Sequence, residues 1–111
     1  MGHVTPLGEF EQLVALAILR LGEEAYAVTI TREIEERTDR SVSSGAVYTT
    51  LNRLEEKGFL RSRRGESRAM RGGRPRRFYV VEPDGLSALQ ASLNAVRNLA
   101  DGLEPLLGES S

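Results

Sequence analysis

The chain has no cysteine, no tryptophan and a single histidine, His3. Without cysteine there is no disulfide framework, no thiolate metal site and no thiol nucleophile, a composition that fits a reducing, cytoplasmic setting. One histidine beside the N-terminus leaves no ligand cluster for a metal. The adjacent acids Glu35-Glu36 and Glu55-Glu56 diverge when placed on helices, so they are expected to be solvated surface rather than acid-base pairs. These gaps argue against an enzyme and against any cofactor. Aromatic residues are also scarce, three Phe and three Tyr among 111 residues of which 40% are hydrophobic, so the core must be aliphatic and modest. Oligomerisation is a common way for such a chain to bury more. The longest apolar run, "LVALAIL" at residues 13–19, falls far short of the roughly 18 residues of a membrane span. The start "MGHVTP" has the Gly2 of a myristoylation signal but Pro6 where Ser or Thr is needed, and no secretory signal is visible.

What the chain does have is segregated charge. Its net charge is −1, yet residues 61–79, "RSRRGESRAMRGGRPRRFY", carry eight of the fifteen basic residues around the single acid Glu66. The remainder is therefore acidic, and the acids concentrate in the first two helical segments. A confined basic stretch of this kind points to an anionic partner.

Apolar periodicity places the elements. Leu7, Phe10, Leu13, Val14, Ala17, Ile18 and Leu21 follow a helical series that ends at Gly22, and Leu16 and Leu19 make this helix apolar on more than one face. It is expected to be covered from two sides, as a central or interface helix. "AVTITREIEERTD" predicts a short second helix capped by Thr29, with Ile30 and Ile34 inward. After about five residues, Ser43 or Ser44 can cap a third helix that stops at Gly58. Two short helices so spaced predict a helix-turn-helix. On the third helix Val47, Leu51 and Leu54 share one side, and Gly45, Thr49, Asn52, Arg53 and Glu56 lie opposite with Tyr48 on the flank. Small residues there allow close approach to a DNA groove, and Thr, Asn and Arg can reach base edges or phosphates. A polar helix face is more often simply solvated, so the neighbouring segments must carry the assignment.

Those neighbours are two β-favouring runs, one after Gly58 with Phe59 and Leu60, and one at Phe78–Val81, joined by the Gly- and Arg-rich "GESRAMRGGRP". Together they predict an antiparallel hairpin beside the third helix, the wing of a winged helix. Its arginines would lie along the DNA backbone or enter a narrow minor groove, Gly72 and Gly73 would let the backbone come close, and Pro75 presets extended re-entry. Against this stand three other uses of the stretch: an Arg-Gly-Gly segment of RNA-binding type, present in one copy only, a nuclear localisation patch, and a charged edge that blocks strand aggregation.

The C-terminal segment shows a 3-4 spacing over Leu86, Leu89, Leu93, Val96, Ala100, Leu103 and Leu107, widened by Leu99 and Leu106 and capped by Asp84. A continuous helix of about 20 residues is about 30 Å long, more than one small domain covers, so this seam is expected to pair with a second copy. Pro105 should end or kink the helix. The expected fold class is mostly α with a small β-hairpin (α+β): a winged helix-turn-helix over residues 7–82 and an added C-terminal dimerisation helix over residues 83–107, with Leu13 and Ala17 of the first helix joining the interface.

"SSGAVYTTLNRLEEKGFL", followed by a basic, glycine-containing turn and "GGRPRRFYVVEPDG", closely resembles the PadR-like winged-helix transcriptional regulators, small bacterial proteins that often act as repressors. The resemblance runs from about Leu7 to Leu107. It implies DNA contacts from Tyr48, Thr49, Arg53 and Lys57 on the recognition helix and from Arg74 and Arg76 on the wing. With the outer-face and hairpin residues read above, the candidate DNA-contacting set is Ser44, Gly45, Tyr48, Thr49, Asn52, Arg53, Lys57, Arg64, Arg71, Arg74 and Arg76. Thr49 stands where the family commonly has Pro, Ala27 replaces a frequent Gly, and Val81-Glu82 replaces the usual Leu-Thr. The expected function is a sequence-specific regulator, a repressor that reads a roughly palindromic duplex site as a homodimer, cytoplasmic and at the nucleoid when bound. The alternative is a winged-helix protein-interaction module. The resemblance also implies that a small-molecule effector can be sensed in a cavity at the dimer interface. Leu13, Ala17, Leu93, Val96 and Ala100 would line it, but they fit ordinary core as well, and no effector is assigned.

Overall fold

The computed structural model describes residues 6–65 and 76–108. The element order is α1 (Glu9–Leu21), α2 (Ala27–Thr38), α3 (Ser44–Glu56), β1 (Leu60–Arg64), β2 (Arg77–Val81), α4 (Pro83–Ala100) and the short α5 (Glu104–Leu107), with a 3-10 turn at Gly22–Glu24. The architecture is thus mostly helical with one two-stranded antiparallel sheet, as expected.

The core is aliphatic. Val14, Ala17 and Ile18 of α1, Ile30 and Ile34 of α2, and Val47, Leu51 and Leu54 of α3 are buried together, joined by Leu60, Tyr79, Ala88 and Leu89. The inward side of α3 read from its periodicity is the buried one. Helix α1 packs against α2, α3, β2 and α4, which accounts for its apolar character on several faces.

Local chemistry sets the ends. Ser43 caps α3, its Oγ accepting the Ala46 N–H at 3.1 Å, and Gly58 takes φ +81° just beyond the last turn, a conformation that only glycine adopts without strain. The cap of α2 differs from expectation. The helix begins at Ala27, so Thr29 sits in the third helical position and its Oγ1 reaches back to accept the Tyr26 N–H at 3.0 Å. Asp84 is likewise not the cap of α4: the helix starts at Pro83, which has no N–H to leave unpaired.

In the hairpin Leu60 lies opposite Val81 and Arg64 opposite Arg77. The Tyr79 N–H donates to the Ala25 carbonyl at 2.9 Å, fastening β2 to the segment after α1. The Glu82 N–H donates to the Phe59 carbonyl at 2.9 Å, and Gly85 packs so tightly there that a Cβ would stand 2.3 Å from the Phe59 oxygen.

Helix α4 docks only by its first half. Gly85, Ala88, Leu89 and Ser92 are buried, and the Ser92 Oγ accepts the Leu7 N–H at 3.0 Å. The continuous seam expected to Leu107 is interrupted before Pro105: α4 ends at Ala100, and Gly102, at φ +86°, turns the chain into α5. Glycine two residues past the last helical position is a stop signal that the apolar spacing concealed.

Candidate nucleic-acid interface

The exposed side of α3 is built by the burial of the other. Because Val47, Thr50, Leu51 and Leu54 face the core, Ser44, Gly45, Tyr48, Thr49, Asn52 and Arg53 are all turned outward and exposed along one helix surface. Gly45 has no atom within 4 Å of where a Cβ would be, so its value is not internal packing room but a low profile toward whatever approaches. Beside this surface the hairpin presents Arg64, Arg76 and Arg77, also exposed. Arg71 and Arg74, with Gly72, Gly73 and Pro75, lie outside the described residues.

Several polar groups expected at this surface are engaged elsewhere. The Lys57 Nζ donates to Glu11 Oε2 at 2.9 Å, so its ammonium is turned toward α1. The residue as a whole stays exposed beside the end of α3. The Glu11 side chain is only 10% exposed, and its other oxygen accepts the Gly8 N–H at 2.9 Å. Burial alone would push the Glu11 carboxyl up. The Gly8 N–H, the Lys57 ammonium and the charge of Arg53 outweigh it and hold the pKa below the ordinary 4.5.

Glu35 and Glu55 are also not the free surface acids expected. Glu35 Oε2 accepts the Val42 N–H at 3.0 Å and pins the turn between α2 and α3. Glu55 Oε2 accepts the Ser62 hydroxyl at 2.6 Å and ties α3 to β1, and Arg77 donates to the same Ser62 oxygen at 3.1 Å.

An aromatic ladder sets the wing. Arg63 lies 4.9 Å over the Phe78 ring, Phe78 meets Tyr26 edge-on at 5.4 Å, and Arg76 lies 4.6 Å over Tyr26. Each guanidinium rests on an apolar ring face while its N–H groups remain free to donate in plane. No sequence motif marks Tyr26 and Phe78 as a pair. Tyr26 lies 52 positions from Phe78, and only the folded hairpin brings them together.

The residues expected at an interface between copies divide. Ala17 and Leu89, at 4% and 2% exposed, are buried in the chain's own core. Leu13, Leu93 and Ala100 are partly buried, and Leu86, Val96 and Leu103 are exposed. Leu99 and Leu106, at 81% and 83%, are the most open large apolar side chains described. Leu13 and Ala17 border an apolar groove of about 210 Å³ between α1 and α2, together with Leu16 and Ile34. Leu93, Val96 and Ala100 do not reach it, so the expected cavity is not assembled within one protomer.

Comparison with known proteins agrees with this geometry. The family model for the transcriptional regulator PadR-like family matches residues 15–91. The transcriptional regulator Rv3488 of Mycobacterium tuberculosis is 39% identical over 77 residues, which cover 69% of this chain and 67% of that protein. Among solved structures, a PadR-like transcription factor from Bacteroides fragilis superimposes with a TM-score of 0.68 at 26% identity, covering 87% of this chain and 88% of the other. A PadR family transcription regulator from Clostridium difficile R20291 superimposes with a TM-score of 0.67 at 22% identity, covering 90% and 99%, and shares the fold. These relatives are regulators of transcription and not enzymes. The winged arrangement of α2, α3 and the hairpin, the family match across it and the similarity to Rv3488 lead to one conclusion: the chain belongs to the PadR-like family of transcriptional regulators.

Proposed function

We propose that the protein is a repressor that binds a roughly palindromic site in double-stranded DNA as a homodimer. Residues 7–82 are the DNA-reading unit and residues 83–107 the pairing segment. The observation that carries the DNA reading is the outer surface of α3, where Ser44, Gly45, Tyr48, Thr49, Asn52 and Arg53 stand exposed beside a hairpin edged with arginine. In this reading α3 enters the major groove, its side chains read base edges, and the wing arginines supply phosphate contacts and released counterions. Arg76, braced on Tyr26, is the described wing residue best placed for that role.

Pairing is supported by the uncovered apolar surface that runs through Val96, Leu99, Leu103, Leu106 and Leu107. Five large apolar side chains stand exposed on one short stretch, and clustered apolar exposure marks interaction surfaces. A two-fold axis through this segment would set two α3 helices about one DNA turn apart and impose palindromic symmetry on the site. Repression then follows from occupancy of the operator.

The test is selection of bound sequences from random duplex DNA by the full chain, followed by titration at several salt concentrations. Enrichment of a palindrome with affinity falling steeply as salt rises is expected. No enrichment would reassign the wing to a protein partner, and affinity indifferent to salt would remove the wing arginines from the mechanism.

A further inference from the structure

Two large apolar side chains stand uncovered on the side of the molecule that carries the candidate DNA contacts. Val28, the second residue of α2, is 52% exposed and Tyr48 of α3 is 53% exposed. Both border one open groove of about 420 Å³ between α2 and the first turns of α3, together with Ala27, Thr31, Arg32, Glu35 and Ser44. Val28 belongs neither to the core nor to the apolar strip of the C-terminal segment.

The polar members of the groove narrow what can fill it. Glu35 is committed to the turn through the Val42 N–H, at 3.0 Å. Arg32 is exposed and enters no ion pair among the described residues. The Thr31 hydroxyl already donates to the Ala27 carbonyl at 2.8 Å, so the groove offers an uncommitted cation, the Ser44 hydroxyl and an apolar rim, and it is continuous with the outer face of α3 through Ser44 and Tyr48. A duplex edge matches that set: phosphate for Arg32, and for Val28 an apolar group inside an otherwise polar groove. In the major groove the apolar group is the C5 methyl of thymine.

We infer that Val28, with Tyr48 beside it, forms a seat for a thymine methyl group of the bound operator, which makes Val28 a specificity-determining residue that lies outside the recognition helix. The inference rests on the DNA-binding reading above. It adds a base-reading role for α2, whose usual part in a helix-turn-helix is to cross the backbone.

The experiment replaces each thymine of the selected site, in turn, by deoxyuridine, which removes the methyl group and leaves base pairing intact. Wild-type protein should lose about four-fold in affinity at one position in each half-site, the size of one buried CH₂ group. Val28→Ser should bind the thymine and deoxyuridine versions of that position equally, while its response at every other position stays as in wild type. Val28→Ile, which keeps an apolar tip, should retain the discrimination. Val28 is exposed, so both variants should fold, with unchanged circular dichroism and melting temperature. A wild-type protein indifferent to every deoxyuridine substitution, or a methyl effect that survives Val28→Ser unchanged, overturns the inference while leaving the DNA reading intact. Failure to select any sequence overturns the DNA reading and the inference with it.

Discussion

The Lys57 Nζ lies 2.9 Å from Glu11 Oε2, so the residue that closes α3 is tied to the first helix across 46 positions of sequence. Glu11 is held ionised by the Gly8 N–H and by Lys57, which depress its pKa below 4.5 against the opposing effect of burial. A carboxyl whose folded pKa is depressed stabilises the protein above its unfolded value, and that stability is lost as the pH falls through the folded value. Glu11→Gln should therefore cost roughly 1–2 kcal/mol at neutral pH. Urea denaturation at a series of pH values should show wild type and variant converging as the pH drops below 4.5. A constant gap would mean that Glu11 acts by packing and not by charge.

The same contact separates Lys57 from the other basic residues near α3. Arg53→Ala and Arg76→Ala should each weaken DNA binding across sequences and reduce the slope of log affinity against log salt by about 1. Lys57→Ala should lower the melting temperature and leave that slope unchanged, because its ammonium is already held by Glu11. A slope that falls in Lys57→Ala would show that the side chain leaves Glu11 for a phosphate in the complex.

Gly85 admits no side chain. A Cβ there would stand 2.3 Å from the Phe59 carbonyl oxygen, which is backbone and already accepts the Glu82 N–H. Gly85→Ala should destabilise the fold by roughly 2–3 kcal/mol by forcing α4 away from the start of the hairpin. Thermal denaturation of the variant measures it. Gly45→Ala has open space around it and a helical position, so it should be neutral or slightly stabilising to the fold while impairing DNA affinity.

Leu89 and Leu99 lie on one apolar seam but should respond differently to truncation. Leu89 is 2% exposed in the protomer core, and Leu89→Ala should cost roughly 2–5 kcal/mol at any protein concentration. Leu99 is 81% exposed, so Leu99→Ala should leave the fold intact and shift the proposed dimer toward monomer, a change that sedimentation equilibrium reads directly. An unchanged mass distribution for both Leu99→Ala and Leu106→Ala would move the pairing surface away from this segment.

The amino-acid pattern by itself determined which side of α3 is buried. Val47, Leu51 and Leu54 repeat at helical spacing, and burying them leaves Gly45, Thr49, Asn52 and Arg53 no direction but outward. The serine pair Ser43-Ser44 and Gly58 marked the ends of α3 because capping and positive φ are local chemistry. The β-favouring runs on either side of the arginine-rich segment marked the hairpin for the same reason. Tertiary structure decided what each polar side chain is used for. Lys57 finds Glu11, Glu55 finds Ser62, Glu35 finds the Val42 N–H, and Arg76 finds Tyr26. These partners are chosen by how helices and hairpin pack, and two of the four pairs, Lys57 with Glu11 and Arg76 with Tyr26, join residues far apart in sequence, beyond the reach of any periodic signal. Packing also divided the C-terminal seam, placing Leu89 inside the protomer and leaving Leu99 outside. A repeat records that a residue is apolar and which way it faces along its helix, but not where the neighbouring helix stops covering it.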